Sequence, residues 1–452
     1  MMLTKLRTWL NRMTPAQMIV LYYSIAVSVA VILISLPISI KPGADWSFMD
    51  ALFVAVSAVS VTGLTTVNIS ETFTVTGNYI LMFVFQFGGI GIMALGTFFW
   101  LIIGKKIGLR ERRLIMADQN QMGLSGLVKM LKGILVLIIL IELIGAVLLG
   151  VHFLNYYSAW EDAFLHGLFA SISATTNAGF DITGSSLIPY ANDYFVQVIN
   201  ILLMTLGAIG FPVLIETKEY LMNRNKNHIH RFSLFTKITT VTFFGLLVFG
   251  TVAIMLLEKN HFLADKSWVE GFFYSFFQSA TTRSGGLATM DMNNFSEPTL
   301  LVLSSLIFIG ASPSSVGGGI RTTTFALNLL FLFHFGRGGR SIKIFKRELT
   351  EEDITKSLVV TIMAMIICFT ATVILTITED HSLTAIVFEV ASAFGTNGLS
   401  LGITPDLSII GKFVIITLMF IGRVGIILFL LFIGGKGENT QIRYPKERVI
   451  IG

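Results

Sequence analysis

The chain has 452 residues, of which 54% are hydrophobic and only 13% are charged, with a formal net charge of +5. Soluble globular proteins do not have this composition, so it excludes that class and predicts a protein embedded in a membrane. The single cysteine, Cys368, excludes a framework of intrachain disulfide bonds.

Apolar segments long enough to cross about 30 Å of hydrocarbon, which takes about 20 helical residues, recur along the whole chain. They form four pairs. The first helix of each pair is predicted near 17–38, 129–152, 235–257 and 356–377. The second helix is predicted near 78–103, 194–216, 299–334 and 409–433.

A short apolar segment lies between the two helices of each pair, at residues 46–64, 160–180, 268–287 and 382–399. Each segment runs through about three helical turns and ends in small or hydroxyl residues before a glycine. The glycines are Gly63, Gly179, Gly286 and Gly398, separated by 116, 107 and 112 residues. About a dozen helical residues cannot span the membrane, so each segment must enter and leave on one side.

The predicted fold is therefore an all-α polytopic membrane protein built from four pseudo-repeats around one central pore. Each repeat contains a membrane helix, a re-entrant pore helix with a filter loop, and a second membrane helix, which gives eight spans. The repeats are predicted at 1–113, 114–230, 231–350 and 351–452. Lys and Arg are in excess between the repeats and at both chain ends, so both termini are predicted to be cytoplasmic and the short segments to open outward.

The polar, glycine-bearing ends of the short segments suggest a function. Backbone without helical hydrogen bonds is tolerated at membrane depth only where it is buried in protein or lines a wet cavity. Four such loops around one axis would form a ring of carbonyl oxygens that replaces the water around a monovalent cation. One copy alone is better explained by an amphipathic loop or by a helix-packing contact of small residues, but four copies in phase favour a selectivity filter.

A second pattern begins 23 to 27 residues after the filter glycines, as FGGIG, LGAIG, IGASPSSVGGGI and IGRVG. The third copy cannot hold a continuous helix, because it contains a proline and three consecutive glycines. We interpret it as a flexible intramembrane gate, with a plain helix break at a dimer contact as the alternative. The predicted gate residues are Gly310, Ala311, Ser312, Pro313, Ser314, Ser315, Gly317, Gly318 and Gly319.

Arg423, in the fourth copy, lies at predicted membrane depth, where an ionisable residue is expensive and is therefore a functional candidate. The alternative is a structural role, either in a salt bridge with Glu142 or on a cluster of carbonyl groups. Arg321 and Glu142 are also predicted inside the membrane, with mainly structural roles.

Two other classes of function compete with a channel-like pore. A membrane-embedded enzyme would need a nucleophile with its base or a metal site, but no H-E-x-x-H motif occurs and the seven histidines are scattered. We therefore expect no catalytic residues. A secondary transporter with broken helices and alternating access is the stronger alternative, although such carriers usually have two inverted or paired halves.

The four pore-loop repeats, the glycine in each, and the sequence FIGRVG at 420–425 resemble the membrane subunits of the Trk/Ktr/HKT superfamily of potassium transporters, most closely the bacterial Ktr type. The resemblance covers essentially the whole chain. It implies a pseudo-tetrameric pore in each chain and potassium uptake that is often sodium-dependent. Relatives with serine in the first filter favour sodium, so the four glycines point to potassium.

The resemblance also assigns the filter residues, whose backbone oxygens would bind potassium, chiefly at the four glycines. The assigned residues are Val61, Thr62, Gly63, Asn177, Ala178, Gly179, Ser284, Gly285, Gly286, Thr396, Asn397 and Gly398, preceded by Ser60, Thr176, Arg283 and Gly395. Arg283 would repel a cation, so we expect its side chain to point away from the axis toward a carboxylate such as Glu270 or Asp291, or to hold the loop by snorkelling. For Arg423, the resemblance implies an electrostatic barrier beside the gate.

The remaining expectations concern partners and location. The resemblance implies a homodimer and a cytoplasmic nucleotide-binding regulatory ring made of a separate chain. No Walker A motif occurs here, so nucleotide is expected only on that partner. We expect no covalent cofactor, no nucleic acid, transported K+ with Na+ as a possible activator, contacts with membrane lipid, and a bacterial plasma-membrane location. The C-terminal tail, 440–452, is assigned to the dimer interface.

Overall fold

The computed structural model describes residues 13–91, 127–222, 231–339, 341–434 and 447. Its helices and strands are, in chain order, α1 (Pro15–Ile34), α2 (Phe48–Ser60), α3 (Ile69–Thr72), α4 (Val75–Gly89), α5 (Leu127–Phe153), α6 (Trp160–Thr175), α7 (Tyr194–Ala208), α8 (Phe211–Met222), α9 (Leu234–Leu257), α10 (Trp268–Thr281), α11 (Glu297–Ile309), α12 (Thr322–Gly336), β1 (Lys343–Ile344), β2 (Arg347–Glu348), α13 (Glu351–Thr378), α14 (Leu383–Gly395), α15 (Ile409–Val424) and α16 (Ile426–Gly434). Single 3₁₀ turns lie at Ile188–Tyr190 and Met292–Asn294.

The four long helices α1, α5, α9 and α13 lie within five residues of the predicted first helices. All four are long and apolar enough to cross a membrane. Two bent pairs, α7 with α8 and α15 with α16, raise this number among the described residues to six if each pair is one span. The chain is therefore a multi-pass membrane protein. Its described residues are mostly helical, with one short antiparallel pair of strands between α12 and α13.

The second helices depart from the prediction. We expected 194–216 and 409–433 to continue unbroken, but α7 and α8 meet at 104° and α15 and α16 at 103°. The breaks fall at Gly210 and Gly425, whose φ values are 103° and 91°. Gly91 ends the described part of the first copy with a φ of 93°. Positive φ is easily adopted only by glycine, so the I-G and V-G steps of the second pattern end these helices.

The short helices α2, α6, α10 and α14 form at the predicted segments because a hydroxyl residue caps most of them. Ser47 accepts a hydrogen bond from the Asp50 amide, and Ser267 accepts one from the Glu270 amide, each within a reciprocal capping box. Ser382 accepts from the Ala385 amide. Helix α6 has no side-chain cap, but Glu161 and Asp162 lie in its first turn, where the helix dipole favours negative charge.

Burial separates the short helices from the long ones. Residues 53–60 of α2 and residues 388–395 of α14 are all buried. By contrast, only 17% of the apolar window of α13 is buried. The short helices thus make the interior of the molecule, and the long helices present apolar side chains outward, as lipid-facing helices do.

Paired contacts join the end of α9 to the start of α11, and the end of α13 to the start of α15. Glu258, just after α9, accepts hydrogen bonds from the amide and hydroxyl of Ser296 at 2.9 and 2.6 Å. Glu379, just after α13, accepts the same two bonds from Ser408 at 2.8 and 2.6 Å. Burial alone would raise the pKa of Glu258, but the hydrogen bonds from Ser296 outweigh it and hold that pKa below its usual value.

Candidate functional site

The loops after the four short helices meet at one place. A Cβ on Gly63 would lie 2.7 Å from the Ala178 oxygen and 2.9 Å from the Gly179 Cα. A Cβ on Gly179 would lie 3.1 Å from the Gly286 Cα. On Gly286 it would overlap the Asn397 oxygen, and on Gly398 it would lie 3.1 Å from the Gly63 Cα. The four predicted filter glycines therefore form a closed ring of contacts, with no room for a side chain.

The loop backbones share one conformation. The four glycines have φ values of 93°, 71°, 71° and 99° in chain order. Two residues earlier in each loop, Val61, Asn177, Ser284 and Thr396 have φ values of 50°, 51°, 66° and 46°. A non-glycine residue with positive φ is uncommon, and a β-branched one is an outlier. Four equivalent residues with positive φ, two of them β-branched outliers, indicate a backbone shape that the surrounding structure imposes.

Hydroxyl groups of the short helices hold the loops from behind, in two different ways. In the first and fourth copies, the hydroxyls of Ser57 and Ser392 accept from the amides of Gly63 and Gly398, both at 3.1 Å. In the second and third copies, the hydroxyls of Ser173 and Thr281 donate to the carbonyl just after the glycine. These bonds reach Phe180 at 2.6 Å and Leu287 at 2.7 Å. The loops are thus held as two matching pairs.

These four hydroxyl residues were not among the predicted site residues. The sequence carries a signal for them, because each lies five or six residues before its glycine. A serine or threonine inside a predicted helix usually bonds to its own helix, so the signal becomes specific only when the four copies are aligned.

Two side chains link the third and fourth loops directly. The Ser284 hydroxyl donates to the Gly395 carbonyl at 2.9 Å, and the Asn397 amide donates to the Thr281 carbonyl at 2.7 Å. All four residues involved are buried. The third and fourth loops are therefore joined by two buried side-chain hydrogen bonds.

The prediction that the Arg283 side chain points toward a carboxylate is wrong. Its side chain is 2% exposed and donates to the carbonyl oxygens of Leu306 at 2.5 Å and Gly310 at 3.3 Å. It also donates to the Thr282 hydroxyl at 3.2 Å. The side chain is enclosed rather than snorkelling, and the carbonyls at the end of α11 take the place of Glu270 or Asp291. The Leu306 carbonyl also accepts the Gly310 amide at 3.3 Å, so Arg283 is its second donor, and the negative end of the helix dipole favours a cation there.

The predicted gate residues form an irregular segment between α11 and α12. Three backbone hydrogen bonds attach this segment to the break between α7 and α8. They run from Ser312 to the Ala208 carbonyl at 3.0 Å, from Val316 to the Gly207 carbonyl at 3.2 Å, and from Phe211 to the Ser314 carbonyl at 2.8 Å. The broken helix of the second copy therefore supplies the partners that the segment cannot find within itself.

The same segment lies against the filter loops. A Cβ on Gly317 would lie 2.5 Å from the Ser284 hydroxyl, and one on Gly318 would lie 2.5 Å from the Thr396 hydroxyl. A Cβ on Gly319 would lie 3.2 Å from the Gly395 Cα. Glycine at these positions is thus explained by a close approach of the segment to the third and fourth loops.

Two arginines hold the segment. Arg321 donates to the carbonyl of Gly317, and Arg423 donates to the carbonyls of Val316 and Gly88. The salt bridge of Arg423 with Glu142 does not occur in the described structure. Instead, Glu142 accepts from the Gln86 amide at 2.9 and 2.8 Å. Arg423 therefore joins the irregular segment after α11 to the end of α4, as in the carbonyl-cluster alternative.

In three copies, a glycine of the second helix packs on the end of the short helix. A Cβ on Gly88 would lie 2.5 Å from the Val59 oxygen, and one on Gly207 or Gly422 would overlap the equivalent oxygen of Thr175 or Phe394. Each of these oxygens belongs to the residue four places before the filter glycine. The small residues of the second pattern are thus explained by helix packing, as is common in membranes.

Glu389, in α14, braces the segment that follows the fourth loop. Its carboxylate is fully buried and accepts from the Ser400 hydroxyl at 2.7 Å and from the Thr404 hydroxyl. Residues 398–402 read GLSLG, which matches the letters of a hydrolase nucleophile elbow. That motif requires a strand before its serine, whereas here a helix and a loop precede it, so the match has no catalytic meaning.

The described residues contain no group of three or more His, Cys, Asp or Glu side chains that could hold a metal ion. Backbone oxygens of the converging loops are the available ligands for a cation. The predicted dimer contact at 440–452 lies outside the described residues, apart from residue 447.

Comparisons with known proteins identify the family. The family model described as TrkH, cation transport protein, matches residues 3–438. The Ktr system potassium uptake protein D of Bacillus subtilis is 61% identical over 98% of both chains. The Ktr system potassium uptake protein B of the same organism is 36% identical over 98% of this chain and 97% of that protein. The potassium/sodium uptake protein NtpJ of Enterococcus hirae is 32% identical over 98% of both.

Among solved structures, the potassium transporter TrkH from Vibrio parahaemolyticus has a similar fold. The TM-score is 0.72, with 20% identity over 93% of this chain and 85% of that chain. At this identity the likeness concerns the fold alone. The family resemblance predicted from the sequence is confirmed, as is the expectation of a transporter rather than an enzyme. The chain belongs to the TrkH family of cation transport proteins.

Proposed function

We propose that this chain takes up potassium through one pore, formed where its four repeats converge. In this arrangement each repeat contributes two membrane spans and one re-entrant short helix, giving eight spans around the pore. The observation that carries the proposal is the closed ring of contacts among Gly63, Gly179, Gly286 and Gly398. Two relatives named as potassium uptake proteins, at 61% and 36% identity, support potassium as the ion.

The filter consists of the backbone carbonyls of the converging loops. Positive φ at two positions of each loop, separated by one residue, gives four equivalent backbone shapes. Carbonyl oxygens arranged in this way replace the hydration shell of the ion at little cost, because their positions are already set by the surrounding helices. The potassium ligands are the carbonyls of the four glycines and of the residues just before them.

The irregular segment at 310–321 is the gate. It contacts two filter loops, contains three consecutive glycines, and is held by Arg321 and Arg423 through carbonyl groups. Arg423 also acts as an electrostatic barrier, because a cation at this depth repels an arriving ion. Removing residues 312–316 should leave a pore that conducts continuously; flux no higher than that of the unmodified chain would show that the segment is not the gate.

The family and the charge distribution support proposals for the oligomeric state, the location, the regulatory subunit and the role of sodium. We propose a homodimer in a bacterial plasma membrane, in contact with membrane lipid, with both termini in the cytoplasm. A separate nucleotide-binding subunit controls the gate, since the relatives are named as members of a Ktr system. The potassium/sodium protein at 32% identity supports a role for sodium as a second ion or an activator.

Ion flux into liposomes that contain only this chain tests the filter. We expect potassium flux well above sodium flux, and we expect Gly286→Ser to reduce that preference because its side chain would displace the Asn397 carbonyl. Gly402→Ala is the matched control, since Gly402 has a φ of 87° but nothing within 4 Å of its Cβ position. Equal flux of both ions, or a preference that Gly286→Ser leaves intact, would refute the filter.

The broken helices favour one alternative, an ion-coupled secondary transporter with alternating access. The bends of 104° and 103° resemble the discontinuous helices that such carriers use to bind ions. The two mechanisms differ in coupling. A potassium flux tied in fixed proportion to a second ion would establish the carrier, whereas potassium flux down its own gradient with no second ion present supports the pore.

A further inference from the structure

Arg283 is a fully buried cation whose role the proposed function does not explain. Its guanidinium contacts the end of α11 through the Leu306 carbonyl at 2.5 Å and the Gly310 carbonyl at 3.3 Å. In sequence it directly precedes Ser284, the first filter residue of the third loop. One side chain therefore connects the filter to the point where the gate segment begins.

Only the third repeat has a cation at the position three residues before its filter glycine. The same repeat has a long interruption in its second helix. The equivalent residues of the other loops are Ser60, Thr176 and Gly395. In those repeats, a glycine of the second helix packs directly on the end of the short helix. In the third repeat, the Cβ position of the equivalent Gly310 faces the Gly318 carbonyl instead, and the Arg283 guanidinium joins the two elements.

The chemistry of a helix end explains why an arginine suits this position. The last four carbonyls of a helix have no intrahelical partner, and the helix dipole places partial negative charge there. A guanidinium has five donors in a rigid fork and can bond to several such carbonyls at once. A buried cation without a carboxylate depends on these bonds, so separating α11 from Arg283 would leave the charge unsolvated.

The backbone at Gly310 is suited to a pivot. Its φ of 62° and ψ of −150° lie in a region open essentially to glycine alone. Gly310 also lies between the helix end that Arg283 holds and the segment that contacts the filter. On the other side, the Ser284 hydroxyl continues the connection to the Gly395 carbonyl of the fourth loop at 2.9 Å.

We propose that Arg283 is a positioning residue that fixes the upstream end of the gate segment to the third filter loop. The segment then pivots at Gly310 while its start stays in place, and displacement of that start disturbs the filter through residues 284–286. This inference rests on the proposed filter and gate. It makes the shape of the filter depend on an intact contact between Arg283 and α11.

The test compares Arg283→Lys and Arg283→Gln with Arg347→Gln, an exposed arginine of β2 that contacts neither the filter loops nor the gate segment in the described structure. Two readouts are measured for each protein in liposomes. The first is the ratio of potassium to sodium flux. The second is the rate at which a membrane-permeant thiol reagent labels a chain that carries Ser312→Cys together with Cys368→Ala. Ser312 is fully buried.

We expect Arg283→Gln to lower the flux ratio at least fivefold and to raise the labelling rate about tenfold, because both ends of the connection are released. Arg283→Lys should fall between this variant and the unmodified chain, since an ammonium keeps the charge but loses the fork. Arg347→Gln should change neither readout. Thermal unfolding in detergent identifies variants that have simply lost their fold, in which case Arg283→Lys alone carries the comparison.

Two results would overturn the proposal. One is a loss of thermal stability in the folded Arg283 variants with an unchanged flux ratio and labelling rate, which would reduce Arg283 to a structural residue. The other is a change in only one readout, which would show that gate and filter are not connected through it. Failure of the proposed function can be distinguished from failure of the Arg283 proposal. In the first case the unmodified chain shows no potassium preference, while the labelling rate still reports on the contact between Arg283 and α11.

Discussion

Gly63→Ala tests whether the converging loops act through their spacing. Two effects of the added methyl group have to be separated. The first is backbone strain, because Gly63 has a φ of 93°, and an L-residue in a left-handed conformation costs about 1–2 kcal/mol. The second is overlap, because the new Cβ would lie 2.7 Å from the Ala178 oxygen, where ordinary contact begins at 3.4 Å.

The chain offers a control that carries the strain without the overlap. Gly43 lies in the same repeat with a φ of 84°, and nothing lies within 4 Å of its Cβ position. Gly43→Ala and Gly63→Ala should therefore lose similar stability from strain. Only Gly63→Ala should force the Ala178 carbonyl of the second loop to retreat, by 3.4 minus 2.7, or about 0.7 Å.

The assay is potassium and sodium flux in liposomes, with thermal unfolding in detergent as the measure of folding. We expect Gly63→Ala to lose about tenfold in potassium preference, equivalent to about 1.4 kcal/mol between the two ions. Gly43→Ala should keep the preference of the unmodified chain. If both variants fold and show the same preference, the spacing of these carbonyls does not set selectivity and the reasoning is refuted.

Two further predictions concern packing and pH. Gly207→Ala should destabilise the protein by about 1–3 kcal/mol, because its Cβ would overlap the Thr175 oxygen. Gly245 is a helical position with open space around it, so Gly245→Ala should be neutral or stabilising by up to about 1 kcal/mol. Equal unfolding temperatures of the two variants would contradict this prediction. Glu258 has a lowered pKa, so its stabilising contribution is present above its unfolded pKa of about 4.3 and is lost as pH falls through the folded value. Glu258→Gln should therefore flatten the fall in stability toward acid pH, as measured by unfolding at a series of pH values, and an unchanged pH profile would count against the role of the Ser296 bonds.

Much of the local structure could be predicted from residue patterns. The first helices follow from uninterrupted apolar runs, and three of the four short helices have a Ser cap before a shorter run. Both features are properties of a few neighbouring residues. The continuity of 194–216 and 409–433 was predicted wrongly. The length of an apolar run predicts a membrane span, but hydropathy contains no information on backbone dihedral angles. The chain turns at Gly210 and Gly425, where φ is positive.

The partner of Arg283 could not be predicted, for a different reason. Sequence reasoning assigns a cation to a carboxylate, because carboxylates are visible as residue types. Backbone carbonyls at a helix end are not visible in this way. Which carbonyls lack helical partners depends on where the helix ends, and that is known only from the structure. The same limit concealed the bonds of Arg423 to Val316 and Gly88, two residues far apart in sequence that meet only after folding.

The sequence by itself determined the membrane class, the four glycine-bearing segments and the family. Composition and periodic spacing can be read from the sequence without any knowledge of contacts. Only the tertiary structure decided that the four glycines meet at van der Waals distance, and that the segment at 310–321 lies against two of the loops. The physical reason is that the meeting of the loops depends on close contacts between different repeats. For the third and fourth loops it also depends on hydrogen bonds of Ser284 and Asn397 to residues more than 100 positions away in sequence.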